Sequence, residues 1–371
     1  MQDIGFGVVG SGFMGKCHAL ALAAVAATFE AGRRPVLKTL CDVDPAAAAK
    51  ARAWGFSRFE TDWRVLLDDP GIEAISVTTP NRLHREIAVA ALAAGKHVWC
   101  EKPMAHRLDD AEAMARAARA SDRVTLLGYN YTRNPALAHA RRLIGEGRIG
   151  RVFDFRGQID EDYLADPALP WSWRMRRDEA GAGVAGDLVC HLLSIASMLV
   201  GPVAQIAGLT ATAHARRPLA DGSGSGAVEN EDIAHALLRF ANGASGVIGA
   251  SRVAHGRKSL IRVEIHGEKG MIAFDQERMN ELQLYLAEGP PAERGFRTIL
   301  TGPEHPPYGL FCPAPGHQLG FNDLKTIEAA HFLRAIAGQE TPFPDFEAGL
   351  HIERVLEALA ESAAQGGWRA P

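Results

Sequence analysis

At 371 residues, 47% hydrophobic and 23% charged, the chain is too long for one ordinary core and too apolar to be disordered or fibrous, so two globular domains are expected. A formal net charge of -4 without any block of lysines or arginines excludes a nucleic-acid footprint and leaves small-molecule chemistry. Five widely spaced cysteines (Cys17, Cys41, Cys100, Cys190, Cys312) with no CxxC argue against a disulfide framework or a zinc ribbon.

An apolar strand pattern opens the chain at Ile4, with no basic leader before it, and the most apolar stretch, residues 19–29, is shorter than the roughly 20 residues a bilayer span needs. The expected setting is cytoplasmic, without a membrane partner. From there to residue 130, short apolar runs beginning near Ile4, Pro35, Arg58, Ala74, His97 and Arg123 alternate with helix-length segments such as 81–94 and 109–120. Strands alternating with helices imply βα units and a doubly wound parallel sheet.

The first strand runs into Gly10-Ser11-Gly12-Phe13-Met14-Gly15, a GxGxxG placed where a strand turns into a helix. Glycines there let the backbone approach a pyrophosphate, and the helix N-terminus offers N–H donors to it. Gly10, Gly12, Phe13, Met14 and Gly15 are therefore cofactor candidates. Asp42, at the end of the second strand, suits both ribose hydroxyls of an adenosine. A 2′-phosphate would meet its carboxylate, and like charges about 4 Å apart repel by about 1 kcal/mol in water and more in a drier site, so NAD is preferred over NADP. Arg33 and Arg34 are the counter-reading as phosphate ligands, but they precede the second strand, at the sheet edge away from the cofactor.

Beyond a helix at 136–146 the character changes. A strand at 151–159, one long helix at 183–199, and alternating segments over 205–286 with turns at Asn242-Gly243 and Glu268-Lys269-Gly270 imply an α+β second domain on a largely antiparallel open sheet. The expected division is 1–130 for the dinucleotide-binding domain and 131–371 for a substrate-binding and oligomerisation domain. Two closing helices, 322–337 and 346–364, are candidates to pack back on the first. Residues 219–230 and 289–320 read as irregular, the second too long for a connector.

Several strings then match a known group in order: Gly15-Lys16-Cys17-His18, Thr79-Pro80-Asn81-Arg82-Leu83-His84, His97-Val98-Trp99-Cys100-Glu101-Lys102-Pro103, Gly128-Tyr129-Asn130-Tyr131-Thr132-Arg133-Asn134-Pro135 and Gly183-Val184-Ala185-Gly186-Asp187-Leu188-Val189-Cys190-His191. The chain resembles the glucose–fructose oxidoreductase/inositol dehydrogenase (Gfo/Idh/MocA) family. Trp171-Ser172-Trp173-Arg174 is similar to its branch acting on pyranose and inositol rings. The resemblance implies an NAD-dependent dehydrogenase oxidising a ring secondary hydroxyl of a cyclic polyol or pyranose, scyllo-inositol first, and a homotetramer. It also implies cofactor contacts from Thr79, Pro80, Asn81, His84, Glu101, Lys102, Asn130, Trp173 and Arg174.

Oxidising a secondary alcohol needs a base for the hydroxyl proton and a cation near the developing alkoxide. Lys102, at the carboxyl end of a parallel strand, and Asp187 with His191, four apart on a helix, can supply both. His191 takes the proton, Lys102 stabilises the alkoxide, and Asp187 orients the substrate and tunes Lys102. His191 and Lys102 can exchange roles. An ordinary surface Asp–His pair is the bland alternative, displaced by the glycine-rich lead-in and the family match. A metal site is not expected, because no HExxH or second carboxylate–histidine pair accompanies them. Lys102, Asp160, Tyr163, Arg177, Asp187, His191 and His317 are the substrate-pocket candidates, His317 because it stands in the long late loop. The rivals are an NAD(P)H-dependent ketosugar reductase and a non-catalytic dinucleotide sensor.

Overall fold

A computed structural model describes residues 2–371 and divides by contact into two units, Met1–Arg133 with Gly320–Leu350, and Asn134–Leu319 with His351–Pro371. The chain enters the first through β1 (Gln2–Val9), α1 (Phe13–Thr28), β2 (Arg33–Cys41), α2 (Ala48–Ala53), β3 (Arg58–Glu60), α3 (Arg64–Asp68), β4 (Ala74–Val77), α4 (His84–Ala93), β5 (His97–Cys100), α5 (Leu108–Arg119) and β6 (Thr125–Leu127). It continues through α6 (Pro135–Gly145), β7 (Val152–Glu161), α7 (Arg177–Ala180), α8 (Cys190–Leu199), β8 (Val203–Ala211), β9 (Arg216–Pro218), β10 (Ser225–Ala227), β11 (Ile233–Phe240) and β12 (Ser245–Ser251). There follow β13 (Lys258–Gly267), β14 (Gly270–Asp275), β15 (Glu281–Leu286), β16 (Arg297–Leu300), α9 (Tyr308–Phe311), α10 (Phe321–Ile336) and α11 (Phe346–Gln365).

In the first unit all strands are parallel, in the order β3-β2-β1-β4-β5-β6. The order reverses between β1 and β4, and there the loops at the strands' carboxyl ends diverge to leave room for a ligand. β1 and β4 are buried almost throughout because both faces of a parallel sheet are covered. Phe6, Trp99 and Phe332 of α10 form an aromatic core, with Phe332 6.2 Å from Phe6 and 6.0 Å from Trp99. Each such buried side chain contributes about 1.5–3 kcal/mol. Residues 320–350 thus complete a core begun more than half the chain earlier.

The second unit is built on an eight-stranded sheet, β16-β15-β14-β13-β7-β12-β11-β8, antiparallel except where β7 and β12 run side by side. Burial alternates along β11, with Ala234, Ala236, Leu238 and Phe240 inward and His235, Leu237 and Arg239 exposed, so one face is covered. α8 lies on the covered face, where a Cβ on Gly157 of β7 would stand 3.2 Å from Leu192.

Several expectations need correction. Arg33 and Arg34 lie inside β2, not before it. Their register against Gln2 and Asp3 still puts them at its amino end, and Arg34 is engaged by Asp3 at 2.7 Å. The stretch 219–230 contains β10, which pairs with β9 as a two-stranded ribbon, and 289–320 contains β16 and α9. These three elements were hidden because segments of three or four residues are too short to show a period. The helix at 183–199 is not uniform either, since its first part, Ala185–Val189, is a π-helical turn. Finally, Arg177–Leu199 is long and apolar enough to cross a membrane, contrary to expectation, but 78% of its most apolar window is buried within the protein, as in a core helix.

Candidate functional site

Every cofactor candidate of the first unit follows a strand's carboxyl end. Gly10 has φ +103°, and a Cβ there would lie 2.6 Å from the Thr78 carbonyl; at Gly15 it would lie 2.1 Å from the Gly10 carbonyl. Those glycines are demanded by the loop's own close packing. Gly12 differs, since a Cβ there would meet nothing within 4 Å, so its main chain borders open space at the N-terminus of α1. Phe13 is 71% exposed beside it and stacks on Phe321 at 5.8 Å, and Met14 is half-buried.

Asp42 is held in orientation by two main-chain donors, Ser11 N at 2.7 Å on Oδ2 and Asp44 N at 3.0 Å on Oδ1. Burial opposes its ionisation, but the Ser11 and Asp44 hydrogen bonds and the Lys50 charge outweigh it and hold the carboxyl below the usual range. Two buried polar atoms, Thr79 Oγ1 and Asn130 Nδ2, have no protein partner, and unsatisfied buried groups of this kind cost about 1–3 kcal/mol unless something else bonds them. Open space over Gly12, an oriented carboxylate and two polar atoms awaiting partners fit a dinucleotide. Pro80 is exposed and Asn81 half-buried, opening the turn that leads into α4.

Two expected cofactor contacts have another task. His84 is fully buried, its Nδ1 facing the Pro103 carbonyl at 3.0 Å and its Nε2 the Thr79 carbonyl at 2.9 Å. Burial pulls its pKa down against the opposing pull of the two carbonyls, and the ring, wedged between them, packs the Thr79 loop against the Lys102–Pro103 segment. Glu101, 4% exposed, accepts from Lys325 Nζ (2.8 Å), pairs with His18 Nε2 (2.9 Å) through Oε1, and accepts from Lys102 N (3.2 Å) through Oε2. Neither side chain is open to a ligand. Lys102 itself is half-buried and joined to Pro103 by a cis peptide.

In the second unit, Tyr163 Oη donates to Asp187 Oδ2 at 2.6 Å. Burial and then the Asp187 charge push the Tyr163 hydroxyl far up, so it remains a donor. The glycine-rich lead-in is explained by Glu231. A Cβ on Gly183 would lie 2.1 Å from the Glu231 carbonyl, which accepts from Val184 N, while the Glu231 carboxylate accepts from Ala185 N at 3.1 Å. That clamp starts the π-turn carrying Asp187, a local widening often associated with functional positions. His191, 4% exposed, stands in the first turn of α8. Because the intervening turn is π-helical, four-residue spacing alone does not put Asp187 and His191 on one α-helical face.

Behind this segment, Arg252 bonds Asp232 (2.8 Å) and Asn230 (2.7 Å), all buried, and Asn230 Nδ2 donates to the Arg174 carbonyl. Arg217 of β9 donates to the Leu164 and Asp166 carbonyls, and Trp171 lies on Gly226 of β10. The Arg174 guanidinium stacks on half-buried Trp173 at 4.7 Å. Arg177 is committed to Glu229, its guanidinium donating to the main-chain carbonyl (3.1–3.3 Å), so it staples the loop rather than reaching a pocket. Asp160 is also displaced. It bonds Gln158 at 2.5 Å, and strand alternation puts both on the face opposite Gly157 and α8, away from Asp187. His317 is exposed, near the Pro315 carbonyl at 3.3 Å, on a loop whose main chain is held by Tyr308 Oη.

Sequence reasoning missed Ser11, Lys50, His18 and Lys325. Lys50 donates to the Ser11 carbonyl and hydroxyl, a contact that the exposed face of α2 does not advertise. His18 stands three residues beyond Gly15 in a quoted motif, and could have been marked.

A doubly wound sheet whose glycine loop and oriented carboxylate suit a dinucleotide defines a dinucleotide-binding protein. Residues 4–129 match the oxidoreductase family with the NAD-binding Rossmann fold, and residues 137–273 the GFO/IDH/MocA C-terminal domain. The chain belongs to the Gfo/Idh/MocA family, whose members include NAD-dependent sugar and polyol dehydrogenases. It is 41% identical to levoglucosan dehydrogenase of Pseudarthrobacter phenanthrenivorans over 99% of this chain and 98% of that protein. A solved levoglucosan dehydrogenase in complex with NADH and L-sorbose superposes with a TM-score of 0.97 at 41% identity, covering 100% of this chain and 99% of that one. Similarity to scyllo-inositol 2-dehydrogenase (NAD(+)) of Bacillus subtilis is 26% over 93% of this chain and 90% of that protein. The chain is an NAD-dependent oxidoreductase.

Proposed function

We propose that the chain oxidises one secondary ring hydroxyl of a pyranose or related cyclic polyol to the ketone, with a levoglucosan-type anhydrosugar ahead of scyllo-inositol. The observation carrying this is end-to-end likeness to a levoglucosan dehydrogenase at 41% identity, against 26% for the scyllo-inositol enzyme. Bound NAD supplies the acceptor for the hydride that leaves the carbinol carbon.

His191 takes the hydroxyl proton as the oxygen's electron pair closes the carbonyl, and the Lys102 ammonium stabilises the negative charge that develops on that oxygen. Asp187 accepts a ring hydroxyl, with its carboxylate aimed by the Tyr163 hydrogen bond. Fixing that carboxylate in advance removes an ordering cost from substrate binding.

The test is initial rates of NADH formation at saturating NAD over levoglucosan, other pyranoses and inositols. Fastest turnover of levoglucosan supports the reading, inositol preference shifts the substrate, and silence across the panel with NAD bound rejects oxidation in favour of the reductase or sensor. Self-association is part of the proposal. Leu209, Leu237 and Val247, all more than 40% exposed, share the uncovered side of β8, β11 and β12, and light scattering should read a tetramer rather than a monomer.

A further inference from the structure

The first unit buries a chain of ionisable side chains that the proposed chemistry does not use. His18 of α1, Glu101 after β5, and Lys325 and Glu328 of α10 are all buried, three of them completely. Lys325 Nζ lies 2.8 Å from Glu101 Oε1 and 2.6 Å from Glu328 Oε2. His18 is enclosed on every side. Ser76 Oγ of β4 meets Nδ1 at 2.7 Å, Trp99 of β5 stacks on the ring at 3.8 Å, and Glu101 meets Nε2. Lys325 approaches from α10 with Glu328 behind it, and Cys17 and Lys16 flank His18 on its own helix.

Burying such a set costs several kcal/mol per ion before pairing is counted, and hydrophobic replacements of equal volume are often neutral or better. Its position is informative. The carboxylate at the centre is the one that accepts the Lys102 N–H, while His84 faces the next carbonyl, that of Pro103. Gly128 packs so closely that a Cβ would stand 2.4 Å from the same carboxylate. The Lys102 main chain is therefore gripped through Glu101, and Glu101 is oriented from α10.

We infer that Lys325 is a positioning residue for Lys102, acting as the permanent counterion that keeps Glu101 ionised and bonded to the Lys102 main chain. This rests on the reading of Lys102 as catalytic. His18 is the reserve cation. Burial, followed by the Lys325 charge, brings its pKa down to about 4, against the pull of Glu101, so it is neutral at physiological pH while Lys325 is present. Without Lys325, the second of those depressing causes vanishes and the Glu101 charge remains. His18 then takes up a proton to replace the missing cation.

The sign follows directly. In a Lys325→Met protein the folded-state His18 pKa rises, so the His18–Glu101 pair is intact at acid pH and lost as pH climbs through the raised value. The test uses the full chain with NAD and levoglucosan. Lys325→Met should gain an ionisation between about pH 5 and 8, with kcat near wild type on the acid side and about tenfold or more lower on the alkaline side. Its Tm should fall across the same range, Lys325→Arg should lack the new ionisation, and Lys325→Met/His18→Asn should lose it.

Wild-type pH profiles of kcat and Tm in Lys325→Met, or the same new ionisation in Lys325→Arg, overturn the inference. If Lys325→Met does not fold, Glu101→Gln decides. The expected result is a kcat about tenfold or more lower at every pH with NADH affinity retained, and an unchanged kcat overturns it. Lys102→Ala measured alongside separates the two claims, because normal turnover there rejects the catalytic role of Lys102 while the Tm profile still decides whether His18 replaces Lys325.

Discussion

At Gly15 the cofactor loop is shaped by main chain against main chain, and a single added methyl group would stand 2.1 Å from the Gly10 carbonyl. At Asp187 the same precision comes from side chains. Tyr163 aims the carboxylate, Glu231 clamps the turn, and the buried Arg252–Asp232 pair anchors the strand behind it. Main-chain sites demand glycine at fixed intervals, whereas side-chain sites tolerate many sequences provided their members meet in space.

The contrast can be broken by substitution, starting where the largest effect is expected. Lys102→Ala should lower kcat by about 10²–10⁴ with NADH affinity intact, and turnover within tenfold of wild type would remove Lys102 from the chemistry. Asp232→Ala, which strands a buried guanidinium, should cost about 3–5 kcal/mol in denaturant unfolding. Gly12→Ala, facing open space, should by contrast weaken NAD binding with stability changed by less than about 0.5 kcal/mol. Equal stability losses in the two would erase the distinction between the units.

Smaller effects sharpen it. Tyr163→Phe removes a hydrogen bond to a charged group worth about 1.5–3 kcal/mol, and should appear as a lower kcat/KM for the sugar with NAD KM unmoved. Asp42→Ala should raise the NADP/NAD ratio of kcat/KM by about fivefold or more, the relief of one like-charge repulsion of about 1 kcal/mol. If the wild type already prefers NADP, the part given to Asp42 is wrong. His317→Ala should raise the sugar KM by about two- to tenfold, the loss of one neutral hydrogen bond, and unchanged kinetics would take His317 out of the substrate site.

The same distinction explains what could be read beforehand. All six strands of the first sheet begin within two residues of where apolar runs announced them, because strand, glycine turn and helix are local patterns. The place of Asp42 just past the end of β2 was legible for the same reason. His84 and Glu101 were recognisable as important from their motifs but not as buried struts, since nothing local tells a carboxylate facing a ligand from one facing Lys325, more than two hundred residues away. Lys325 and Glu328 fall in a polar row with Asn322, His331 and Arg334 at three-residue spacing, which reads as an ordinary solvated face, and nothing local shows that its middle is buried. The π-turn carries no local signal, its first N–H being held by Glu231 in a distant part of the chain, and for Asp160 strand phase, not proximity in sequence to Tyr163, decides where it points.

The late arrival of α10 also bears on biogenesis. Glu101 leaves the ribosome long before Lys325, and at roughly 5–20 residues per second the intervening synthesis takes some tens of seconds. Throughout that interval the nascent dinucleotide-binding half carries an interior carboxylate lacking its ammonium partner, and the helix that will cover Trp99 does not yet exist. Those early strands therefore stay incompletely covered until the helix is made, and a chain truncated before residue 325 lacks both the ammonium and the cover.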